Sequence, residues 1–368
     1  MRRVSYVDLS AQWLEERNEL LPNIEKILAS GHYVGSDEVE RFEKEAAHVF
    51  GVRHVVSLNS GTDALIFGLS AVGVKSGDEV ITPPNSFIAS TSAVLHLGAK
   101  PVFVDVGQDQ NINPDLIETA VTEKTKAIMP VHLTGRVADM IAITKISNQI
   151  GIPIVEDAAQ AAGSMYDGQA SGSWGSVGCF SAHPLKNLNA CGDAGFITTN
   201  DAGIAKRVRL LRNHGLIDRD TVETFGYVSR MDSIQAAILR SRLLRLPKVV
   251  ERRRENADLY RSLLHPEAVL SPPPDRPLEF NTWHTFVIQV NQRDELRKFL
   301  ASRQIETAIH YPVPIHLQPA VRSLGYRPGD YPITENQASK ILSLPIHQHL
   351  TKDQIQQVAQ TIHEFYGF

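Results

Sequence analysis

The sequence has few cysteines, little net charge and no long hydrophobic run. Two of its 368 residues are cysteines, and Cys179 and Cys191 lack metal-ligand spacing, so we expect neither a disulfide framework nor a metal site. The 37 Lys and Arg against 41 Asp and Glu form no basic stripe, which argues against binding to nucleic acid or to a membrane surface. No apolar run reaches 18 residues, and the N-terminal MRRVSYVDLS lacks the apolar core of a signal peptide. We therefore expect a cytoplasmic protein with a small ligand.

Short β-branched runs alternate with amphipathic segments from residue 54 onward. This alternation is typical of a mostly parallel sheet covered by helices. Strands are predicted at 54–58, 79–82, 101–106, 126–133, 152–157, 177–182 and 195–199, with helices such as 62–73 and 138–151 between them. The pattern predicts an α/β fold with a mostly parallel, seven-stranded sheet.

We expect Pro247 to end a helix, and the chain to change character after the helix that follows it. The charged run from Glu251 to Glu255 then predicts a solvent-exposed helix face, and SPPPDRP at 271–277 predicts a stiff linker. We expect a large domain at 1–247, including an N-terminal helical segment at 1–50, and a smaller C-terminal α+β domain at 248–368.

Four clusters of candidate functional residues follow predicted strands, at the edge where open α/β sheets bind ligands. Gly61 and Thr62 open a helix, so their backbone N–H groups suit a phosphate, although a simple helix cap explains them as well. Asp157, with Gln160 three residues on, suits a metal, a ribose hydroxyl or a cofactor nitrogen, or a local cap or salt bridge.

The other two clusters contain an aromatic ring and a lysine. Phe87 offers a flat face for stacking on a heteroaromatic ring, or it is a core residue. Lys186 lies in a loop rich in Pro and Gly, where desolvation favours an amine nucleophile over an ordinary solvated charge. Nearby His183 by itself indicates a structural histidine.

Together these four parts are what a protein needs to hold pyridoxal phosphate as a Schiff base. No G-x-G-x-x-G follows a strand, and G-x-x-x-x-G-K-[ST] occurs nowhere in the sequence. Nicotinamide and P-loop chemistry therefore lack their usual sequence evidence.

The sequence also resembles a known family along almost its whole length. The motifs that carry the resemblance are SGTDAL, EDAAQA, FSAHPLKNLNACGDAG, RNHG, WHTF, HYPVPIHLQP and LSLPIH. They are similar to those of the DegT/DnrJ/EryC1/StrS sugar aminotransferases, which have the aspartate-aminotransferase-like fold (fold type I). The resemblance implies a pyridoxal-phosphate-dependent enzyme that works as a homodimer with a shared active site.

The resemblance also implies a role for each candidate residue. Lys186 would bind the cofactor covalently and carry a proton between cofactor and substrate, and Asp157 would keep the pyridine nitrogen protonated. Gln160 would contact the ring hydroxyl, and Phe87 would stack on the ring. The phosphate would be held by Gly61, Thr62 and Ser181.

One motif departs from the family pattern. Relatives usually carry Asn two residues after the Gly of a G-Y-N-x-R stretch, where it reaches the partner subunit's cofactor phosphate, but this chain has Val228. Valine cannot make that hydrogen bond. Ser229 or Arg230 could replace it, and ordinary dimer packing explains this segment equally well.

The resemblance implies that glutamate donates the amino group to a nucleotide-linked keto sugar, and the motifs favour a 3-keto over a 4-keto sugar. Family members that dehydrate sugars carry His in place of the lysine, so Lys186 favours transamination. His310, Tyr311 and His316 are candidates for the sugar site, and Arg212 for a carboxylate or phosphate, although a structural turn and a surface arginine explain them comparably. Alternatives are a non-nucleotide ketone substrate such as a cyclitol, and a non-catalytic regulatory or binding protein.

Overall fold

The computed structural model describes residues 3–368. The α-helices in that range are α1 (Leu9–Ser30), α2 (Asp37–Val49), α3 (Gly61–Ala71), α4 (Ile88–His96), α5 (Met140–Ile150), α6 (Ala202–Leu211), α7 (Ser233–Leu263), α8 (Arg293–Ser302), α9 (Pro332–Lys340) and α10 (Lys352–Tyr366). The strands are β1 (His54–Leu58), β2 (Glu79–Thr82), β3 (Lys100–Phe103), β4 (Thr125–Ile128), β5 (Val155–Asp157), β6 (Met165–Tyr166), β7 (Gln169–Ala170), β8 (Val177–Ser181), β9 (Gly195–Thr199), β10 (Glu279–Phe280), β11 (Phe286–Gln289) and β12 (Ile341–Leu344).

Seven strands form the central sheet. Four of them lie in the order β1-β9-β8-β5 and three in the order β4-β2-β3. Parallel bridges from Ile128 to Ile154 and from Val131 to Asp157 join the two groups between β4 and β5. Only β9 runs antiparallel to its neighbours, β1 and β8. The predicted mostly parallel, seven-stranded α/β sheet is confirmed.

Local sequence explains where the helices beside this sheet begin. The Ser60 hydroxyl accepts the Asp63 N–H at the start of α3, and the Asp139 carboxylate accepts the Ala142 N–H at the start of α5. Gly151 ends α5 in the left-handed conformation that glycine adopts without steric cost. The helices predicted at 62–73 and 138–151 are therefore confirmed within two residues at each end.

The prediction that a helix ends at Pro247 is wrong. Helix α7 continues through Pro247 to Leu263. Its first half packs on α1 and α2 and its second half against α10, so tertiary contacts on both sides outweigh the one missing backbone hydrogen bond. Helix α7 thus connects two packed regions, and the division into domains at residue 247 stays a prediction.

The C-terminal part of α7 and the region after it share a hydrophobic core. It gathers Tyr260 and Phe286 with residues of α8, β12 and α10, and Val4 from near the N-terminus joins it. The charged run at 251–255 is not wholly exposed as predicted, since Arg253 is buried. Within residues 3–368, no helix is both long and apolar enough to cross a bilayer.

Candidate active site

A cavity of about 440 Å³ opens at the carboxyl ends of β5 and β8, beside the N-terminus of α3. Its walls include nine of the residues selected from the sequence, namely Gly61, Thr62, Phe87, Asp157, Gln160, Ser181, Lys186, His310 and Tyr311. The chain brings these residues together from loops that are up to 250 positions apart. This convergence makes the cavity the candidate active site.

The N-terminus of α3 forms one end of the cavity. A Cβ atom on Gly61 would lie 2.6 Å from the Cβ of Ser181, so glycine is needed for the helix to approach β8 this closely. The preceding loop is held by Ser229, whose hydroxyl lies 3.0 Å from the Asn59 side-chain oxygen. Free N–H groups at a helix N-terminus attract anions, so this end of the cavity suits a phosphate.

Asp157 is the last residue of β5 and faces the cavity. The Ser90 hydroxyl donates a hydrogen bond to Asp157 Oδ2 at 2.6 Å, and the Ala159 N–H donates to Oδ1 at 3.2 Å. Burial raises the pKa of Asp157, and these two hydrogen bonds and the charge of Lys186 partly oppose that rise. The carboxylate is thus fixed in place and open to a proton-bearing nitrogen in the cavity.

Glu156 points to the other face of β5, because side chains alternate along a strand. This fully buried carboxylate accepts three backbone N–H groups of the 172–175 loop at 2.7–2.8 Å. It also accepts from His132 Nε2 at 2.8 Å, since His132 Nδ1 is occupied in accepting the Ala138 N–H. Glu156 therefore anchors the strand end that carries Asp157.

Lys186 lies in the 182–194 loop between β8 and β9. The pairing of Ser181 with Gly195 closes this loop at its base. The Lys186 side chain is partly exposed to the cavity. Burial by the surrounding protein lowers its pKa to about 8, although the negative charge of Asp157 acts to raise it. A lysine with this pKa supplies an uncharged amine near neutral pH.

Gln160 and Tyr311 are held to each other across the cavity. Gln160 Oε1 accepts the Thr134 N–H at 2.8 Å, and its Nε2 donates to the Tyr311 hydroxyl at 3.2 Å. The Tyr311 ring lies 5.9 Å from that of Phe87, centroid to centroid. Phe87 itself is 56% exposed, so its ring is available to a planar ligand.

Three histidines form the wall that the C-terminal region contributes. His310 Nδ1 lies 2.8 Å from the Ser343 hydroxyl, and burial with the nearby charge of Lys186 lowers the His310 pKa to about 4. Burial likewise lowers the pKa of His347 to about 4 and the pKa of His284 well below its ordinary value. All three are therefore neutral hydrogen-bonding groups at physiological pH.

Two residues expected at the substrate site lie outside the walls of this cavity. Arg212 donates to Glu43 at 2.5 Å and to the Ser57 carbonyl at 2.9 Å, so the carboxylate it binds belongs to the protein. His316 is buried and lies 3.0 Å from Glu335. The placement predicted for both residues is corrected, because internal acidic partners hold them elsewhere.

Sequence reasoning missed four cavity residues with ionisable side chains, namely Tyr6, Arg253, His284 and His347. His284 and His347 stand in the motifs WHTF and LSLPIH, so a signal for them existed. Arg253 is one charge in a run, and Tyr6 stands near the N-terminus, where its ring stacks on that of His310 at 5.9 Å. Only their packing identifies these two.

The segment that departs from the family pattern is exposed. Val228 is 56% accessible, and Arg230 makes one long contact, at 3.4 Å, with Asn213. Ser229 is buried and committed to Asn59, so it is not free to replace the missing asparagine. Of the two replacements considered from the sequence, the geometry leaves Arg230.

Comparison with known proteins agrees with this site. The family model of the DegT/DnrJ/EryC1/StrS aminotransferase family matches residues 14–363. The dTDP-3-amino-3,4,6-trideoxy-alpha-D-glucose transaminase of Streptomyces venezuelae is 42% identical over 364 residues, covering 99% of this chain and 96% of that protein. A Geobacillus stearothermophilus protein named pleiotropic regulatory protein is 40% identical over 367 residues, covering 99% and 98%.

A solved structure matches the fold as closely. The crystal structure of S. venezuelae DesV in complex with a ketimine intermediate superposes with a TM-score of 0.96 at 42% identity, covering 99% of both chains. The family model and these relatives span the motifs that build the cavity, and this chain belongs to the DegT/DnrJ/EryC1/StrS aminotransferase family.

Proposed function

We propose that this protein transfers the amino group of glutamate to the keto carbon of a nucleotide-linked 3-keto sugar, with pyridoxal phosphate as cofactor. The observation that carries the proposal is the placement of Lys186, Asp157 and the N-terminus of α3 around one cavity. An amine, a ring-nitrogen partner and a phosphate site are the three fixed points that this cofactor needs.

The residues present fit the cofactor. Gly61, Thr62 and Ser181 would hold its phosphate at the helix N-terminus, where a side chain on Gly61 would collide with Ser181. The exposed face of Phe87 would cover its ring, and Gln160 would meet its hydroxyl. When bound, pyridoxal phosphate takes up the amino nitrogen of one substrate and delivers it to another.

The side chains of this protein would then direct the reaction. The Asp157 carboxylate, held by Ser90, would keep a proton on the ring nitrogen. The Lys186 amine, with a pKa of about 8, can take and return the proton at the substrate carbon. The neutral histidines can donate and accept hydrogen bonds to a polyhydroxylated substrate without adding charge.

The choice of acceptor draws on relatives. The S. venezuelae transaminase is named for a dTDP-linked sugar with its amine at position 3, which supports a nucleotide-linked 3-keto substrate. A cyclitol or another free ketone is the alternative acceptor. Competition by nucleoside diphosphates discriminates between them, because inhibition is expected only for a nucleotide-linked substrate.

A regulatory role without catalysis is a second candidate, favoured by the name of the Geobacillus relative. Absorbance spectra of the purified protein with pyridoxal phosphate, with and without glutamate, test the two. We expect a visible band that glutamate converts to a shorter wavelength, and no such band in Lys186→Ala. A wild-type protein that lacks the band, or whose band does not change when any amino acid is added, would favour the regulatory role.

We further propose a homodimer with shared active sites. Several apolar side chains around the departing motif are more than 40% exposed, namely Tyr33, Val34, Phe225, Tyr227 and Val228. Val34 bridges to Asp232, which brings the segment with Tyr33 and Val34 next to the chain that follows Val228. Burial of such a surface favours self-association, and light scattering after size-exclusion chromatography should give twice the 40.7 kDa chain mass.

The proposed compartment is the cytoplasm. The free thiols Cys179 and Cys191 support it, because disulfides dominate in oxidising compartments. Cell fractionation with detection of the native protein tests this location.

A further inference from the structure

Three arginines are buried in the described part of the chain, and they differ in how their charge is balanced. Arg136 pairs with Glu279 at 2.5 Å, and Arg242 pairs with Glu16 at 2.8 Å. Among residues 3–368, Arg253 forms no ion pair within 4.0 Å. A buried cation without an anionic partner is costly unless a ligand supplies the anion.

Arg253 lies on α7 and borders the candidate active site. One of its terminal nitrogens donates to the carbonyl oxygens of Trp283 at 3.2 Å and His284 at 3.1 Å, while its Nε has no hydrogen-bond partner. The two carbonyls fix the plane of the guanidinium. The other N–H groups of the guanidinium remain without a hydrogen-bond acceptor within residues 3–368, beside a cavity that has to receive a substrate.

In the part of the chain that the structure describes, no carboxylate is paired with Arg253. The groups that act on it or feel its charge are the Tyr6 phenol and the histidines 284, 347 and 349. Asp8 borders a small recess shared with Arg253, but its carboxylate caps α1 by accepting the Ala11 N–H at 2.8 Å. The guanidinium therefore faces neutral side chains.

The position of Arg253 indicates which anion it meets. The same recess is also lined by Lys186, whereas the phosphate cradle at Gly61 and Thr62 lies outside it. An amino acid whose nitrogen reacts beside Lys186 carries its α-carboxylate two bonds from that nitrogen. Arginine matches a carboxylate because its planar fork donates two parallel hydrogen bonds.

We propose that Arg253 binds the α-carboxylate of the amino-acid donor. This subsite rests on the proposed transamination, and it assigns donor recognition to helix α7. The acceptor sugar has no α-carboxylate, so it is then recognised by His284, His310 and His347 and makes no contact with Arg253.

Equilibrium binding to the cofactor-loaded protein tests this assignment. The probes are tert-butylamine, 2-methylalanine and 2-methylglutamate, which carry zero, one and two carboxylates and lack the hydrogen that transamination removes. Binding is followed by the change in the visible absorbance of the cofactor linked to Lys186. The variants are Arg253→Met and Arg253→Lys, with Arg252→Met as control, because Arg252 is an exposed member of the same helix paired only with Glu255.

In Arg253→Met the dissociation constants of 2-methylalanine and 2-methylglutamate should both rise ~10- to 100-fold, the usual effect of losing a hydrogen-bonded charge partner. Binding of tert-butylamine should stay unchanged, Arg253→Lys should fall between, and Arg252→Met should match wild type. Equal weakening of all three probes indicates a structural role and overturns the proposal. Weakening of 2-methylglutamate alone assigns Arg253 to the side-chain carboxylate and also overturns it.

The outcomes separate this subsite from the proposed function. If wild type converts glutamate and Arg253→Met converts it with the same half-saturation, the subsite is wrong and transamination stands. If wild type binds the carboxylate probes through Arg253 but leaves glutamate unchanged, the subsite stands and the donor is another amino acid or the catalytic function fails. Thermal melting of each variant controls for folding, and Arg253→Lys keeps the test valid if Arg253→Met is unstable.

Discussion

Lys186 offers a quantitative test of how the fold prepares the site. Enclosure lowers its pKa from the ordinary 10.5 to about 8. At pH 7.5 about a quarter of the amines with that pKa are uncharged, against about one in a thousand for an ordinary lysine. In cofactor-free protein at this pH, Lys186 should therefore react with an acylating reagent roughly 200-fold faster than the same lysine would with a pKa of 10.5.

Competitive labelling with acetic anhydride between pH 6 and pH 11 measures this property. The labelled peptides are quantified by mass spectrometry, and exposed Lys352 in the same sample serves as the internal reference. Labelling of Lys186 should rise through a midpoint near pH 8. A midpoint at or above pH 10 would refute the argument that burial sets the charge state of this amine.

Asp157→Asn tests the second contribution to that pKa. The negative charge of Asp157 raises the Lys186 pKa, so its removal should move the midpoint below that of wild type. Labelling at pH 7 should then increase. Cofactor affinity should fall in the same variant, because the amide cannot balance a protonated ring nitrogen. A midpoint that moves upward would contradict this account.

Three further substitutions probe the same site and its support. Ser90→Ala removes the 2.6 Å hydrogen bond to Asp157, worth ~1.5–3 kcal/mol to the charged carboxylate, so the Asp157 pKa should rise further. As the pH is lowered, cofactor binding should therefore begin to weaken at a higher pH than in wild type, which cofactor titration at several pH values measures. Gly61→Ala should cost ~1–3 kcal/mol in urea unfolding and weaken the cofactor, because its Cβ would lie 2.6 Å from that of Ser181. Phe196→Ala should lose ~3–5 kcal/mol in urea unfolding, because this buried ring stacks on Phe180 at 4.7 Å.

Each substitution has an outcome that contradicts its reasoning. An unchanged pH dependence in Ser90→Ala would mean that this hydroxyl does not stabilise the carboxylate, and Ser90→Thr should restore wild-type behaviour if it does. Full cofactor affinity in Gly61→Ala would show that α3 need not approach β8 so closely. A loss below about 1 kcal/mol in Phe196→Ala would mean that the core refills the cavity.

The strands and the ligand edge could be read from the sequence because both depend on local order. Short β-branched runs located all seven strands of the central sheet, and the polar residues at or after their ends included Asp157 and Lys186. In a parallel sheet the carboxyl ends of strands meet at one edge, so residues after different strands converge without further information. Pro247 misled the same reasoning, because propensity is local while the contacts that keep α7 helical beyond Pro247 are not.

The sequence by itself therefore determined the α/β fold, the loops that carry chemistry and, through its motifs, the family. The tertiary structure alone decided which charges are paired. From the sequence, Arg212 was the candidate for binding an anion and Arg253 was one charge in an exposed run, but packing gives Glu43 to Arg212 and leaves Arg253 unpaired in the cavity. Charge pairing depends on neighbours that are distant along the chain, and these become neighbours only when the chain is folded.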